Sequence, residues 1–147
     1  MIGHLEGGAA LLADNRWPYM VSSNPKDAIQ FIASNYQCFL YHGDCRELLD
    51  SLPDECIQLI ITSPPYNLGK PYEQKKRLEE YLALQEEVIE KCVRVLSPEG
   101  SICWEVGNHI VNKGEILPLD IPLHGIFTKF GLKLRNRIVW HFEHGLH

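Results

Sequence analysis

Ser63, Pro64, Pro65 and Tyr66 place a hydroxyl, two imino acids and a phenol ring in consecutive positions. Proline carries no backbone N–H, so two in a row cannot extend a sheet ladder and their carbonyls stay available. A rigid bend of this kind suits a flat molecule bearing an amino group. The Ser63 hydroxyl and the Pro64 carbonyl would accept from the amine while the Tyr66 ring stacks on the face of the molecule.

Such a bend works only if something stiff presents it. Ile57-Gln58-Leu59-Ile60-Ile61 is a short apolar run of the kind that forms a buried strand, and the prolines end it. The bend therefore leaves the sheet at the strand's carboxyl edge, where ligands bind in open α/β sheets. Upstream, residues 38–42 read as a strand ending at Gly43-Asp44, and 45–52 as a short helix with Leu48, Leu49 and Leu52 on one side. Downstream, Leu78, Tyr81, Leu82, Val88, Ile89, Cys92, Val93 and Leu96 recur at three and four, the period of an amphipathic helix stopped by Ser97-Pro98-Glu99-Gly100. Residues 101–106 follow as a strand, Gly107-Asn108 as a turn, and 118–130 as a helix stopped by Gly131. Residues 132–142 alternate into a last strand, in which Trp140 reads as core. Alternating strands and helices define an α/β chain with a largely parallel sheet. Residues 1–35 carry little signal beyond the turn-like Gly7-Gly8, Trp17-Pro18 and Ser22-Ser23-Asn24-Pro25. A short helix over 26–33, capped by Ser or Asn, completes this amino-terminal extension.

The 147 residues suffice for about one domain, and 45% hydrophobic content excludes a disordered chain. Five cysteines, an odd number without a Cys-x-x-Cys pair, argue against a disulfide framework and a zinc site. No apolar run reaches a membrane span and no signal-peptide pattern opens the chain, so no membrane association and a cytoplasmic location are expected. The net charge of −5 lacks the broad basic face of an autonomous DNA binder, leaving Lys75-Lys76-Arg77 and Lys129, Lys133, Arg135 and Arg137 as local phosphate contacts or ordinary solvated surface. His141, His144 and His147 are evenly spaced, but a strand or loop would not aim them at one ion, and no metal is called for.

Two segments together carry a resemblance: Tyr41-His42-Gly43-Asp44-Cys45-Arg46-Glu47-Leu48-Leu49, then Ile57-Gln58-Leu59-Ile60-Ile61-Thr62-Ser63-Pro64-Pro65-Tyr66-Asn67. The chain resembles the amino-methyltransferases of DNA, which move a methyl group from S-adenosylmethionine to the exocyclic nitrogen of cytosine or adenine. The resemblance spans residues 36–147, taken as a partial catalytic domain. It implies a Rossmann-like methyltransferase sheet with helices on both faces, S-adenosylmethionine as cofactor, DNA with a flipped base as partner, and a restriction–modification setting. It also implies catalytic roles for Ser63, Pro64, Pro65 and Tyr66. Asp44 resembles the family's acidic residue near the cofactor adenine, while its own sequence equally supports a helix cap with Glu47 three residues on. Asn67 is expected to shape the turn.

The family's glycine-rich Phe-x-Gly-x-Gly loop is not found in this sequence. One branch is circularly permuted, with the catalytic turn early and that loop near the carboxyl end, and the order here follows that branch. The expectation is an incomplete sheet in which two further strands belong between those ending at Asp44 and Ser63, hence a truncated or split half that pairs with a complementary carboxyl-terminal half or with a second copy. Within the family, Ser at the first position of the turn is commoner in cytosine-N4 enzymes. An adenine-N6 enzyme and a non-catalytic assembly subunit with the same partial fold are the alternatives. A nicotinamide oxidoreductase is disfavoured by the missing Gly-x-Gly-x-x-Gly turn.

Overall fold

The computed structural model describes residues 2–4, 10–12, 19–69, 71, 73–112 and 115–141. Along the chain these form β1 (Ile2–His4), β2 (Ala10–Leu12), β3 (Tyr19–Ser22), α1 (Asp27–Ile32), β4 (Cys38–Tyr41), α2 (Cys45–Ser51), β5 (Ile57–Thr62), α3 (Leu78–Val95), β6 (Leu96–Trp104), β7 (Asn108–Asn112), β8 (Glu115–Pro118) and α4 (Asp120–Lys129). Helices and strands thus alternate through the middle of the chain, as the apolar periods require, and the protein is mixed α/β.

The strands divide among three ladders: β1-β2-β3-β4, β5-β6 and β7-β8. β3 runs parallel to β4 with Tyr19 opposite Cys38, and β5 runs parallel to β6 with Thr62 opposite Trp104. β4 and β5 share no ladder among the described residues.

α3 is the element the rest packs on. Tyr81, Gln85, Ile89, Cys92 and Val95 are its buried positions, a stripe repeating at three and four. Glu79 and Glu80 in its first turn and Arg94 in its last complement the helix dipole. Tyr81 and Ile89 meet Leu119 and Leu123 in the core, with Trp104, Val106, Ile126 and Phe127 packed around them. α4 begins with Pro122 inside its first turn, where the missing N–H has no intrahelical partner to lose. It ends at Gly131, whose φ of +80° lets its N–H and that of Leu132 turn back onto Thr128 and Phe127 carbonyls at 3.0 and 3.1 Å.

Ions fasten α2 to α3. Arg46 reaches Glu87 at 3.1 Å and Lys91 reaches Asp50 at 2.5 Å. Arg94 does more than pair with Asp54, because its guanidinium also donates to the Leu49 and Leu52 carbonyls at 2.5 and 3.0 Å. Those are carbonyls at the end of α2, where the helix lacks its usual donors and Leu49 otherwise has the Leu52 N–H at 3.1 Å.

Several expectations change. The β5-β6 sheet packs on helices with one face, carrying Trp104, while Leu59 and Ile61 on the other are 57% and 70% exposed. Coverage of both faces is therefore not met among the described residues. Residues 132–141 form no strand, and Trp140, expected in the core, is 72% exposed. Alternation marks which side chains would share a face, but a strand also needs a neighbouring edge to bond with, and no described strand forms a ladder with this stretch. Asn108, expected in a turn with Gly107, and Pro118, expected to open a helix, instead belong to the β7-β8 hairpin, which pairs Ile110 with Ile116. The stretch taken as an extension contributes β3, laddered to β4, and α1, which opens at Lys26 with no side-chain cap while Asn24 Oδ1 accepts from the Lys26 N–H at 3.2 Å. Gly7-Gly8, Trp17-Pro18, Phe142, His144 and His147 lie outside the described residues.

Arg94 yields the sharpest test of this packing. Arg94→Met keeps the stem but removes the donors, and should lower unfolding free energy by about 2 kcal/mol, read as a lower urea midpoint with an unchanged slope. Arg94→Lys should recover less than half of the loss, since an ammonium cannot span two carbonyls and a carboxylate in one plane.

Candidate active site

The turn begins where the β5 ladder ends. Glu105 N–H donates to the Thr62 carbonyl at 2.9 Å, and beyond it Pro64 and Pro65 have no N–H to offer. Ser63 and Pro65 are exposed, and Pro64 and Tyr66 half-buried. The Ser63 and Tyr66 hydroxyls share a hydrogen bond of 2.8 Å. The Tyr66 ring lies so close to Gly107 that a Cβ there would come within 3.1 Å of it, so a glycine in the loop after β6 makes room for the ring.

Asn67 locks the far end. It is 2% exposed with a φ of +61°, a conformation that Asn tolerates better than most residues. Its side chain donates to the Lys76 carbonyl at 2.9 Å and accepts from the Lys76 N–H at 2.7 Å. The Glu73 carboxylate accepts from the Asn67 and Leu68 N–H groups at 2.9 and 2.7 Å. The turn-shaping role expected of Asn67 is what the structure shows. The same clamp holds Lys75, Lys76 and Arg77 exposed beside the turn, Arg77 paired with Glu80 at 2.9 Å. Lys129 pairs with Glu86, and Arg137 with Asp120 at 2.6 Å.

Asp44 caps α2. Its Oδ1 accepts from the Arg46 N–H at 2.9 Å, and the Arg46 guanidinium donates to both carboxylate oxygens. Glu47 accepts from the Tyr41 hydroxyl at 3.1 Å. The hydrogen bonds from the Arg46 side chain, followed by the one from its backbone, hold the Asp44 carboxyl at about 2, well below the ordinary range.

The turn overhangs a cleft of about 280 Å³ lined by Cys45, Thr62, Ser63, Pro64, Pro65, Gln85, Val88 and Trp104. Three of the four residues singled out in the turn line it, and Cys45 brings the residue next to Asp44 to its wall. Burial pushes the Cys45 thiol up, so this wall is uncharged at neutral pH. A larger depression of about 500 Å³, lined by Tyr19, Gln37, Cys38 and Leu40, contains none of the turn residues. Gln85, Val88 and Trp104 were not singled out as site residues. A polar Gln85 at a core position of the α3 stripe was the one signal for them in the sequence.

The cap gives a prediction with a definite sign. Because folding lowers the Asp44 pKa from its ordinary 3.8 to about 2, its contribution is full above that ordinary value and fades as pH falls towards 2. Asp44→Ala should lose about 1 kcal/mol at pH 7, whereas Asp44→Asn keeps a capping oxygen and should lose only a fraction of that. Urea unfolding followed from pH 5 to pH 2 should show a shallower loss of stability in Asp44→Asn than in the parent chain.

The sequence profile of a DNA methylase family matches residues 57–147, more than half of the chain. Among curated proteins, the Type II methyltransferase M.BglII of Bacillus subtilis is 48% identical over 74% of this chain and 30% of its own length. The Type II methyltransferase M.ScaI of Streptomyces caespitosus is 35% identical over 73% of this chain and 34% of its own. The DNA adenine methyltransferase YhdJ of Escherichia coli K12 is 32% identical over 71% of this chain and 33% of its own. The chain therefore spans about a third of the length of these relatives. No solved structure matches. With a family profile covering the diproline turn and everything after it, the chain belongs to the DNA amino-methyltransferases.

Proposed function

We propose that residues 36–147 are the base-facing part of a site-specific DNA methyltransferase that transfers a methyl group from S-adenosylmethionine to an exocyclic base amine, cytosine N4 in preference to adenine N6. The observation that carries this reading is the exposed diproline turn overhanging a cleft, in a chain of this family. The finer fold expectation, a Rossmann-like sheet, belongs to the same proposal and is supported by the parallel β5-β6 pair with α3 crossing between its strands.

Asp44 fits the adenine end of S-adenosylmethionine. Its carboxylate is 39% exposed at the end of β4, and because each oxygen already accepts twice from Arg46, the adenine amine would take the place of one of those bonds. The methionine end finds no glycine-rich turn in this sequence. When bound, S-adenosylmethionine supplies an electrophilic methyl carbon on a sulfonium that departs as a neutral thioether.

The chain's own residues prepare the amine. An exocyclic amine is a poor nucleophile because its lone pair is delocalised into the ring. The Ser63 hydroxyl and Pro64 carbonyl accept hydrogen bonds from its N–H, draw the nitrogen towards tetrahedral shape and hold it in line for displacement, and the proton that methylation makes acidic leaves to solvent. If Ser63 donates to the Tyr66 hydroxyl, both lone pairs on Ser63 Oγ remain free to accept. Pro65 keeps the bend stiff, and the Tyr66 ring stacks on the base. That base must first leave the duplex, at about a few kcal/mol. Lys75 and Lys76 stand exposed beside the turn, positioned for phosphate contacts during that excursion.

The adenine alternative draws support from the likeness to YhdJ, a DNA adenine methyltransferase. An enzyme carrying this chain should produce N4-methylcytosine in digested DNA by mass spectrometry, and N6-methyladenine alone would reverse the assignment. Ser63→Ala should slow methyl transfer at least about tenfold with an unchanged far-ultraviolet circular dichroism spectrum. An unchanged rate would remove Ser63 from the mechanism.

The exposed Leu59, Ile61 and Cys103 face supports the expectation of a partner, either a complementary segment or a second copy of the chain. Light scattering of the chain alone should give a mass above 16.9 kDa, and Ile61→Glu should reduce it. A monodisperse monomer at high concentration would argue against self-association.

A further inference from the structure

Two residues lining the cleft beneath the turn each carry a buried polar atom without a hydrogen-bond partner among the described residues: Gln85 Oε1 and Trp104 Nε1. Gln85 is 7% exposed and sits in the α3 stripe between Tyr81 and Ile89, where an apolar side chain would serve the core better. Trp104 ends β6 and is fixed by edge-to-face packing on Phe127, centroids 5.6 Å apart. An acceptor and a donor, each left unpaired among the described residues, therefore belong to side chains that line the same small cleft as Ser63 and Pro64.

We propose that Gln85 and Trp104 read the amidine edge, N=C–NH2, of an amino-nucleobase held under the diproline turn. Gln85 Oε1 accepts one proton of the exocyclic amine, and the Trp104 indole N–H donates to the adjacent ring nitrogen. The other amine proton is left for Ser63 and Pro64. Val88, Pro64 and Pro65 supply apolar walls for the ring. The inference rests on the proposed function in taking the turn as the holder of an amine. It adds the pair that distinguishes an amino base from an oxo base. Uracil and hypoxanthine present the inverse edge, a carbonyl beside a ring N–H, which sets oxygen against oxygen and proton against proton. Two sources of the edge exist, a flipped base of DNA and the adenine of S-adenosylmethionine, and they share this chemistry.

The full chain labelled with nitrogen-15 tests the pair directly. Its three tryptophans give three indole resonances, and Trp104→Phe identifies the one from Trp104. Titration with deoxycytidine or deoxyadenosine should move that resonance at concentrations at least about fivefold below those needed with deoxyuridine or deoxyinosine, the discrimination expected from one matched hydrogen bond. Gln85→Met, which keeps the volume, should abolish the preference. The preference in the parent chain is itself a readout that needs no variant to fold. If saturating S-adenosylmethionine moves the resonance and blocks deoxycytidine, the cleft takes the cofactor's adenine. If deoxycytidine still binds, the cleft takes the target base. Equal responses to amino and oxo nucleosides would overturn the proposal, as would a preference that survives in Gln85→Met. Should Ser63→Ala weaken binding while Gln85→Met does not, the pair is dismissed and the turn retained. A preserved amino preference without methyl transfer by an enzyme carrying the chain would dismiss the catalytic reading alone, and no response to any nucleoside would dismiss the pair.

Discussion

Pro64 and Pro65 have no N–H, and the site follows from that deficit. β5 can bond to β6 as far as Thr62 opposite Trp104, and one residue later the chain meets two prolines with nothing to donate and must leave the ladder. Leaving costs little because the exit is held at both ends. The ladder fixes the near end, and the Asn67 clamp onto Lys76 fixes the far end. Between them the Tyr66 ring rests against Gly107. A loop anchored this way keeps its acceptors in place without having to order them when a ligand arrives.

α3 links that loop to the rest of the molecule. Its buried stripe joins the core with Leu119 and Leu123 at one level and supplies Gln85 and Val88 to the cleft at another. At its end, Arg94 satisfies carbonyls of α2, the helix that Asp44 caps and whose first residue, Cys45, walls the same cleft. Stability and site are therefore coupled through one helix. A change that loosens Arg94 also loosens the wall formed by Cys45, without touching any residue of the turn.

What the sequence made legible was local. The apolar periods placed β4, α2, β5, α3 and α4 near their observed bounds, because each pattern reports the face its own element buries. The turn residues could be named from chemistry alone, since imino acids act through a group they lack. What was not legible depends on partners distant in sequence. Residues 132–141 alternate as a strand would, yet alternation says nothing about whether an edge is available. β3 became a strand by pairing with β4, across α1, and its four residues carry no pattern that announces this. The β7-β8 hairpin did have a signal, apolar pairs flanking Asn112-Lys113-Gly114, a turn-forming sequence. Gln85 was passed over because a single polar residue in an amphipathic helix looks like surface until the face it occupies is known.

The choice between cytosine and adenine cannot be made at the edge that the turn and the cleft are proposed to read, because both bases present an amine beside a ring nitrogen. It must be made by the rest of the ring, and there shape acts asymmetrically. A wall close enough to exclude a purine still admits a pyrimidine, whereas a cleft that accepts a purine also accepts the smaller ring with little loss. Preference for cytosine therefore needs only tight apolar walls, such as Val88 and Pro65 supply, while preference for adenine needs an added attractive contact on its second ring. Among the residues lining the cleft, the hydrogen-bonding side chains are Cys45, Thr62, Ser63, Gln85 and Trp104, and the proposal assigns Gln85, Trp104 and Ser63 to the shared edge. The burden of recognising a purine would fall on Thr62 and the neutral thiol of Cys45, which is a weak partner. Under the proposed contacts, that imbalance would favour the pyrimidine on grounds independent of the residue type at the head of the turn.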